Sequence, residues 1–116
     1  MDPSTCILEL AVHVGFDVLD RVPYVLTQLH LMDTGGAKVV TANDVPNANW
    51  LVPGTVSAAQ QQFGSALLGI HPFVFVPSVV SRFSWNVVFN PVSAEGKYKL
   101  VAQHAFALDG RLNKAA

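Results

Sequence analysis

A chain of 116 residues with 51% hydrophobic and 13% charged residues is typical of one globular domain, which excludes a disordered chain and leaves no room for a second ordinary domain. Seven basic and eight acidic residues, without a run of either sign, exclude a basic surface for nucleic acid or an anionic membrane. The single cysteine, Cys6, excludes an internal disulfide, and because neither a signal peptide nor a membrane span is evident, we expect a cytoplasmic protein.

The first predicted element is a helix over residues 3–14. Asp2 can cap the free backbone N–H groups at its start, and Pro3 suits the first helical position, where its missing donor costs nothing. Gly15 stands where helices commonly end. These signals predict both boundaries of the helix.

The rest of the chain is predicted to contain five strands and a second helix. The helix covers residues 56–69, is capped by Thr55 or Ser57 and ends at Gly69, while residues 43–55 are rich in Asn, Pro and Gly and are predicted to form a loop. Runs of alternating or β-branched residues predict strands over 23–32, 37–42, 72–80, 85–90 and 97–108. This order predicts an α+β fold, with one mixed, mostly antiparallel sheet and a few helices packed on it.

The low content of charge bears on assembly. A chain with this composition is expected to leave apolar side chains on its surface, and exposed apolar patches usually mark partner surfaces. We therefore expect a homo-oligomer or a hetero-oligomer. Direct contact with nucleic acid or with a membrane is not expected.

Three polar side chains interrupt the apolar stretch "FVFVPSVVSRFSWNVVFNPVS", and we interpret them as the lining of a ligand pocket. Ser78 follows Pro77, so its strand is expected to lie at an edge, to end there or to carry a bulge. Asn86 and Asn90 lie four positions apart and share a face on a regular strand. The alternatives are that Ser78 bonds neighbouring backbone, and that Asn90 caps a turn with Pro91.

Charged side chains offer further candidates. Glu9 is surrounded by apolar residues in "ILELAV", and a carboxylate seldom stays buried without a partner. The alternative is a solvated residue that pairs with His13 one turn later. Asp109 and Arg111 are expected to form an ion pair on the surface. The four histidines are too dispersed for a metal motif, and no metal site is predicted: His13, His30, His71 and His104.

Four short motifs occur in one order along the chain: "LELAVH" (8–13), "VPSVV" (76–80), "NVVFNP" (86–91) and "FALDGRL" (106–112). In order and rough spacing they resemble the RES domain, a family named for its arginine, glutamate and serine. The resemblance implies a toxin of a bacterial toxin–antitoxin pair, neutralised by an antitoxin with an Xre-type helix-turn-helix domain. Members deplete NAD by cleaving its nicotinamide–ribose bond through hydrolysis or phosphorolysis, and some resemble ADP-ribosyltransferases.

The resemblance also assigns expected roles to individual residues. It places the family glutamate at Glu9 and the family serine at Ser78, as catalytic residues, and the Asn-Pro step at Asn90, with Asn86 as its companion in substrate binding. Trp85 is expected to stack on a nicotinamide or adenine ring, although a core tryptophan is the alternative there, as it is for Trp50. NAD is then a substrate, and no cofactor is expected.

One family segment has no counterpart here. The family arginine belongs to a segment of the type Gly-x-Arg-Trp-Asn ahead of the "LE" helix, and none of Arg21, Arg82 and Arg111 occupies that place. We therefore expect residues 1–116 to form a single RES-like domain that is short at its N-terminus.

Three hypotheses about function follow. The first is an enzyme that consumes NAD, for which Glu9 and Ser78 are expected to lie on opposite walls of one hollow of nucleotide size. The second is a catalytically inactive RES-like module that pairs with a helix-turn-helix antitoxin. The third is an α+β fold unrelated to the family.

Overall fold

The computed structural model of the chain describes residues 2–44 and 58–112. In chain order its helices and strands are α1 (Pro3–Val14), α2 (Phe16–Arg21), β1 (Val25–Leu31), β2 (Lys38–Val39), α3 (Ala58–Ile70), β3 (Val74–Pro77), β4 (Trp85–Val88) and β5 (Tyr98–Ala105). Short 3₁₀ turns lie at Ala42–Asp44 and Gly110–Leu112. The α+β class is confirmed. The predicted caps of α3 and most of the predicted loop, with Trp50, lie outside the described residues.

Helix α1 begins and ends where the sequence predicts. Asp2 accepts a hydrogen bond from the backbone N–H of Thr5 at 2.9 Å, and Pro3 occupies the first turn. Gly15 follows with φ of +84°, a region in which a side chain is strained, and its N–H donates to the carbonyl of Ala11 at 2.7 Å. The local signals therefore determine both ends of this helix.

Helix α2 was not predicted from the sequence. It starts immediately after Gly15, so the glycine that stops α1 also redirects the chain into a second helix of six residues. Leu19 is buried, and the tertiary contacts of this side chain stabilise a helix that is too short to form alone. Helix α2 then leads the chain into β1.

The five strands divide between two sheets instead of the single sheet expected. Strand β1 pairs with β5 in an antiparallel ribbon, and the second sheet has the order β2, β3, β4. Within the second sheet β2 is parallel to β3, with α3 in the connection, and β4 is antiparallel to β3. Each predicted strand is present, but each is shorter than the range predicted for it.

Aromatic side chains connect the two sheets. The ring of Phe89, just after β4, lies 5.5 Å from that of Phe73 and 5.1 Å from that of Tyr98 on β5, with tilted planes in both pairs. Phe73 is fully buried next to β3, and Val40 and Val74 are also buried. The core is therefore centred on the first residues of β3. No helix in the described parts of the chain is long and apolar enough to cross a membrane.

The cap of α1 makes a prediction about pH. Hydrogen bonds from the Thr5 backbone, the Thr5 hydroxyl and Ser84 lower the pKa of Asp2 from 3.8 to about 2. Because the folded pKa lies below the unfolded one, this stabilisation is present above pH 3.8 and is lost as the pH falls toward about 2. We expect Asp2→Ala to lower the thermal midpoint by several degrees at pH 7, with a smaller loss near pH 2, in circular dichroism melts.

Asp2→Asn is the matched variant, because asparagine caps helices as well as aspartate does but carries no charge. It should keep most of the stability at pH 7 and should lose the part of the pH dependence between pH 4 and 2. Equal midpoints for the wild type and Asp2→Ala at both pH values would show that the cap does not stabilise the fold.

Candidate functional site

One carboxylate oxygen joins helix α1 to the strands. Glu9 Oε1 accepts a hydrogen bond from the Ser78 hydroxyl at 2.8 Å and another from Asn86 Nδ2 at 2.7 Å. We call Glu9, Ser78 and Asn86 the Glu9 cluster. Ser78 and Asn86 lie 69 and 77 positions after Glu9 in the chain, so only the fold brings them next to it.

The elements around the Glu9 cluster explain its geometry. Strand β3 ends at Pro77, as one of the interpretations of that proline predicted, and Ser78 begins the link to β4. The backbone N–H of Ser78 donates to the carbonyl of Ser84, and its buried hydroxyl accepts from the N–H of Ser81 at 3.0 Å. The hydroxyl thus bonds both neighbouring backbone and Glu9, which fixes the carboxylate in one position.

Two acceptors of the cluster have no partner among the described residues. The Asn86 side-chain carbonyl is buried and accepts no hydrogen bond there. Both donors of the cluster bond Glu9 Oε1, and Glu9 Oε2, which is not a buried unpaired atom, accepts no hydrogen bond from the described residues. Buried polar atoms are nearly always paired in folded proteins, so the unpaired Asn86 carbonyl beside a carboxylate is an exception that a bound N–H or O–H would satisfy if neighbouring groups moved to admit it.

The cluster has no basic partner in residues 2–44 and 58–112. The two ion pairs found there are Arg21 with Asp17 and Arg111 with Asp109, both on the surface, and the second of them is the pair that the sequence predicted. Hydrogen bonds from the Arg111 side chain and backbone hold the pKa of the Asp109 carboxyl below its usual range. The alternative in which Glu9 pairs with a histidine one turn later is not formed. The negative charge of Glu9 is therefore held by neutral donors alone.

The other two predicted site residues lie apart from the cluster. Strand β4 ends at Val88, before Asn90, so Asn86 and Asn90 do not share a strand face. The Asn90 side chain instead accepts from the N–H of Val92 at 2.9 Å, which is the turn-capping alternative. Trp85 is 40% exposed and, as the neighbour of Asn86 on β4, points to the opposite face of the sheet.

The histidines do not assemble a metal site in the described parts of the chain. No group of three His, Cys, Asp or Glu side chains lies together there. His71 Nδ1 contacts the carbonyl of Gly36 at 2.8 Å across the fold, which links α3 to the turn before β2. His13, His30 and His104 are exposed.

A cavity of about 530 Å³ lies between the two sheets and the start of α1. We call it the inter-sheet cleft, and its lining residues are Asp2, Pro3, Cys6, Leu26, Thr27, Gln28, Leu29, Leu31, Val87, Phe89 and His104. Neither Glu9 nor Ser78 lines it. The two side chains converge, but they meet in direct contact instead of on opposite walls of a hollow.

Sequence reasoning missed two features near the cluster. Ser84, which no predicted element or candidate site includes, donates its hydroxyl to Asp2 Oδ2 at 3.0 Å and so joins the β3–β4 link to the start of α1. The cleft was also missed, because it arises from the separation of the two sheets. No local motif reports that separation, since strand pairing is decided by tertiary contacts.

Comparison with known proteins gives one match. A model of the RES domain family matches residues 1–109 of the chain, and this range contains the whole Glu9 cluster. No curated protein and no solved structure matches significantly.

Proposed function

Because the chain belongs to the RES domain family, we propose that it is the toxin of a toxin–antitoxin pair and depletes NAD by cleaving the nicotinamide–ribose bond. In this reaction the bond from the ring nitrogen to the anomeric carbon breaks, and its electron pair leaves with neutral nicotinamide. Water or phosphate then adds to the anomeric carbon and loses a proton. A helix-turn-helix protein is the proposed antitoxin.

The charge of Glu9 carries this proposal. Cleavage builds positive charge on the ribose, as in glycoside hydrolysis, and a fixed carboxylate beside that carbon lowers the energy of the transition state. Glu9 is half-buried, is held by two neutral donors, and has one oxygen without a hydrogen bond to the described residues. A carboxylate in this state favours a cationic ligand, and the nicotinamide-ribosyl group is cationic.

The other two residues of the cluster have different proposed tasks. Asn86 presents an unpaired side-chain carbonyl beside Glu9, which is an acceptor for the carboxamide N–H of nicotinamide or for a ribose hydroxyl. Ser78 is fully buried and both of its hydroxyl bonds are internal, so it acts as a positioning residue that holds Glu9. Asn90 and Trp85 have no proposed task in this cluster.

The test is to incubate the purified chain with NAD and to follow free nicotinamide by chromatography. We expect nicotinamide release that elutes with the chain during size-exclusion chromatography, which separates it from a contaminating enzyme. Buffers with and without phosphate distinguish the two acceptors, because hydrolysis gives ADP-ribose and phosphorolysis gives its phosphate ester. ADP-ribose attached to added protein would instead identify transfer.

A binding module without turnover is the second candidate, and one observation favours it. No residue of the Glu9 cluster lines the inter-sheet cleft, so the cluster does not border this nucleotide-sized space in the part of the chain that the structure describes. In that case the same assay gives no nicotinamide, while the chain and a helix-turn-helix protein encoded beside it elute together as a complex. Nicotinamide release at any chain-dependent rate contradicts this second candidate.

A further inference from the structure

The two walls of the inter-sheet cleft are strands with an unpaired edge. Strand β1 pairs only with β5, and β4 pairs only with β3, in the described part of the chain. Residues 26–29 of β1 all line the cleft, although successive side chains of a strand point to opposite faces. The free edge of β1 therefore borders the cleft, and His104 extends the cleft over the face of the ribbon that it shares with Leu26.

The hydrogen-bond pattern shows which backbone groups of β1 do not bond β5. The N–H of Phe106 donates to Tyr24, so this pair is of the hydrogen-bonded type, and pairs of the two types alternate along an antiparallel ladder. Thr27 and Gln103 then form a non-hydrogen-bonded pair. The N–H and C=O of Thr27 point away from β5.

The register of the β1–β5 pair shifts between Gln28 and Leu29. Beyond this shift, alternate residues of β1 again direct their backbone groups away from β5. The N–H of Met32 donates to Lys97 at 2.8 Å, which makes Leu31 and Leu29 residues of the non-bonded type. Three residues spaced two apart on β1 therefore direct their backbone donors and acceptors toward the cleft: Thr27, Leu29 and Leu31. All three line it.

Strand β4 directs a similar row of backbone donors and acceptors toward the cleft from the opposite wall. The N–H of Ser78 donates to Ser84, so counting along the ladder makes Trp85 and Val87 residues whose backbone groups point away from β3. Val87 and Phe89 line the cleft. Two rows of backbone groups without a partner strand among the described residues thus face one space.

From this arrangement we propose that the inter-sheet cleft binds an extended peptide segment of a partner protein, which inserts as one strand between β1 and β4. Alternate residues of a strand direct their backbone groups to opposite sides, so one segment can bond both walls at once. The insertion would join the two sheets into a single six-stranded sheet. Backbone bonding of this kind provides affinity, and the apolar lining selects side chains.

A segment with both edges free is needed, and this excludes the five strands of a folded second copy that lie in the described residues as donors. Every strand in the described residues already uses at least one edge inside its own sheet. A copy of this chain could insert such a strand only after that strand had left its sheet. The partner segment must therefore be linear in the free state and become ordered on binding.

The lining also limits the chemistry of the segment. Most of its side chains are apolar, and it contains no Lys or Arg, whereas Asp2 contributes a carboxylate whose pKa is lowered to about 2. An acidic peptide would meet this charge with only the His104 imidazole in the lining to offset it. The cleft therefore fits a neutral or basic segment with an apolar residue at every second position.

The test uses a synthetic peptide of eight residues that alternates valine with threonine and ends in a lysine, without NAD present. We expect saturable binding with a Kd below about 1 mM by fluorescence anisotropy. By NMR, exchange of the amide hydrogens of Thr27, Leu29 and Val87 should slow by about tenfold or more on binding, because these amides gain partners.

Two N-methylated forms of the peptide are the controls, since each removes the donors that face one wall. Methylation of the odd residues and methylation of the even residues should each weaken binding by about tenfold or more. If only one methylated form binds more weakly than the parent peptide, the peptide docks on a single strand edge, which contradicts insertion. Loss with neither form, or no saturable binding of the parent peptide, contradicts strand binding altogether.

Discussion

Glu9→Gln is expected to lower the rate of nicotinamide release by about 100-fold or more, which corresponds to about 3 kcal/mol of lost transition-state stabilisation. The glutamine side chain has the same shape, and its oxygen can still accept from Ser78 and Asn86 at the distances that Glu9 Oε1 has now. The substitution removes the charge and replaces Oε2, an acceptor, by an NH₂ group that donates. We expect kcat to fall much more than KM changes, because the carboxylate acts mainly on charge that develops in the transition state.

The matched control is Glu95→Gln, which makes the same change on an exposed carboxylate in the turn between β4 and β5, outside the Glu9 cluster. It should leave the rate unchanged, and circular dichroism melts of both variants should match the wild type. Ser78→Ala provides a comparison, because it removes one of the two bonds to Glu9 and leaves the charge. Glu9→Gln activity within about threefold of the wild type would show that this charge does not stabilise the transition state.

The fold illustrates which parts of a sequence are informative. Helix α1 could be predicted to the residue, because its start and end depend on side chains that are neighbours in the chain, Asp2 and Gly15. The division into two sheets could not, since the residues of β1 pair with residues 67–80 positions later and the choice of partner depends on the whole fold. Periodicity predicted that strands exist and was silent on their order.

The candidate site shows the same limit. No spacing rule connects Glu9 with Ser78 or Asn86, and the expectation that they converge came from motifs shared with a family. Local chemistry was informative for Asn90, where the Asn-Pro step predicted a turn that the structure contains. Whether a polar side chain in an apolar strand binds a ligand or its own backbone is decided by which elements pack beside it.

Phe73→Ala is expected to lower the free energy of unfolding by about 3–5 kcal/mol, the usual cost of removing a buried aromatic ring. Phe73 has 0% exposure and is the largest fully buried side chain among the described residues. Its ring also contacts Phe89, which contacts Tyr98 on β5, so the substitution removes part of the link between the two sheets. In urea titrations the midpoint should fall by about 2 M.

Phe83→Ala is the matched control, because it makes the same chemical change at a ring that is 103% exposed. It should change the free energy of unfolding by no more than about 0.5 kcal/mol. Since small domains are stable by only about 5–15 kcal/mol, Phe73→Ala removes a large share of the total and Phe83→Ala almost none. Similar urea midpoints for the two variants would mean that the start of β3 is not the centre of the core, and that the sheets are held together elsewhere.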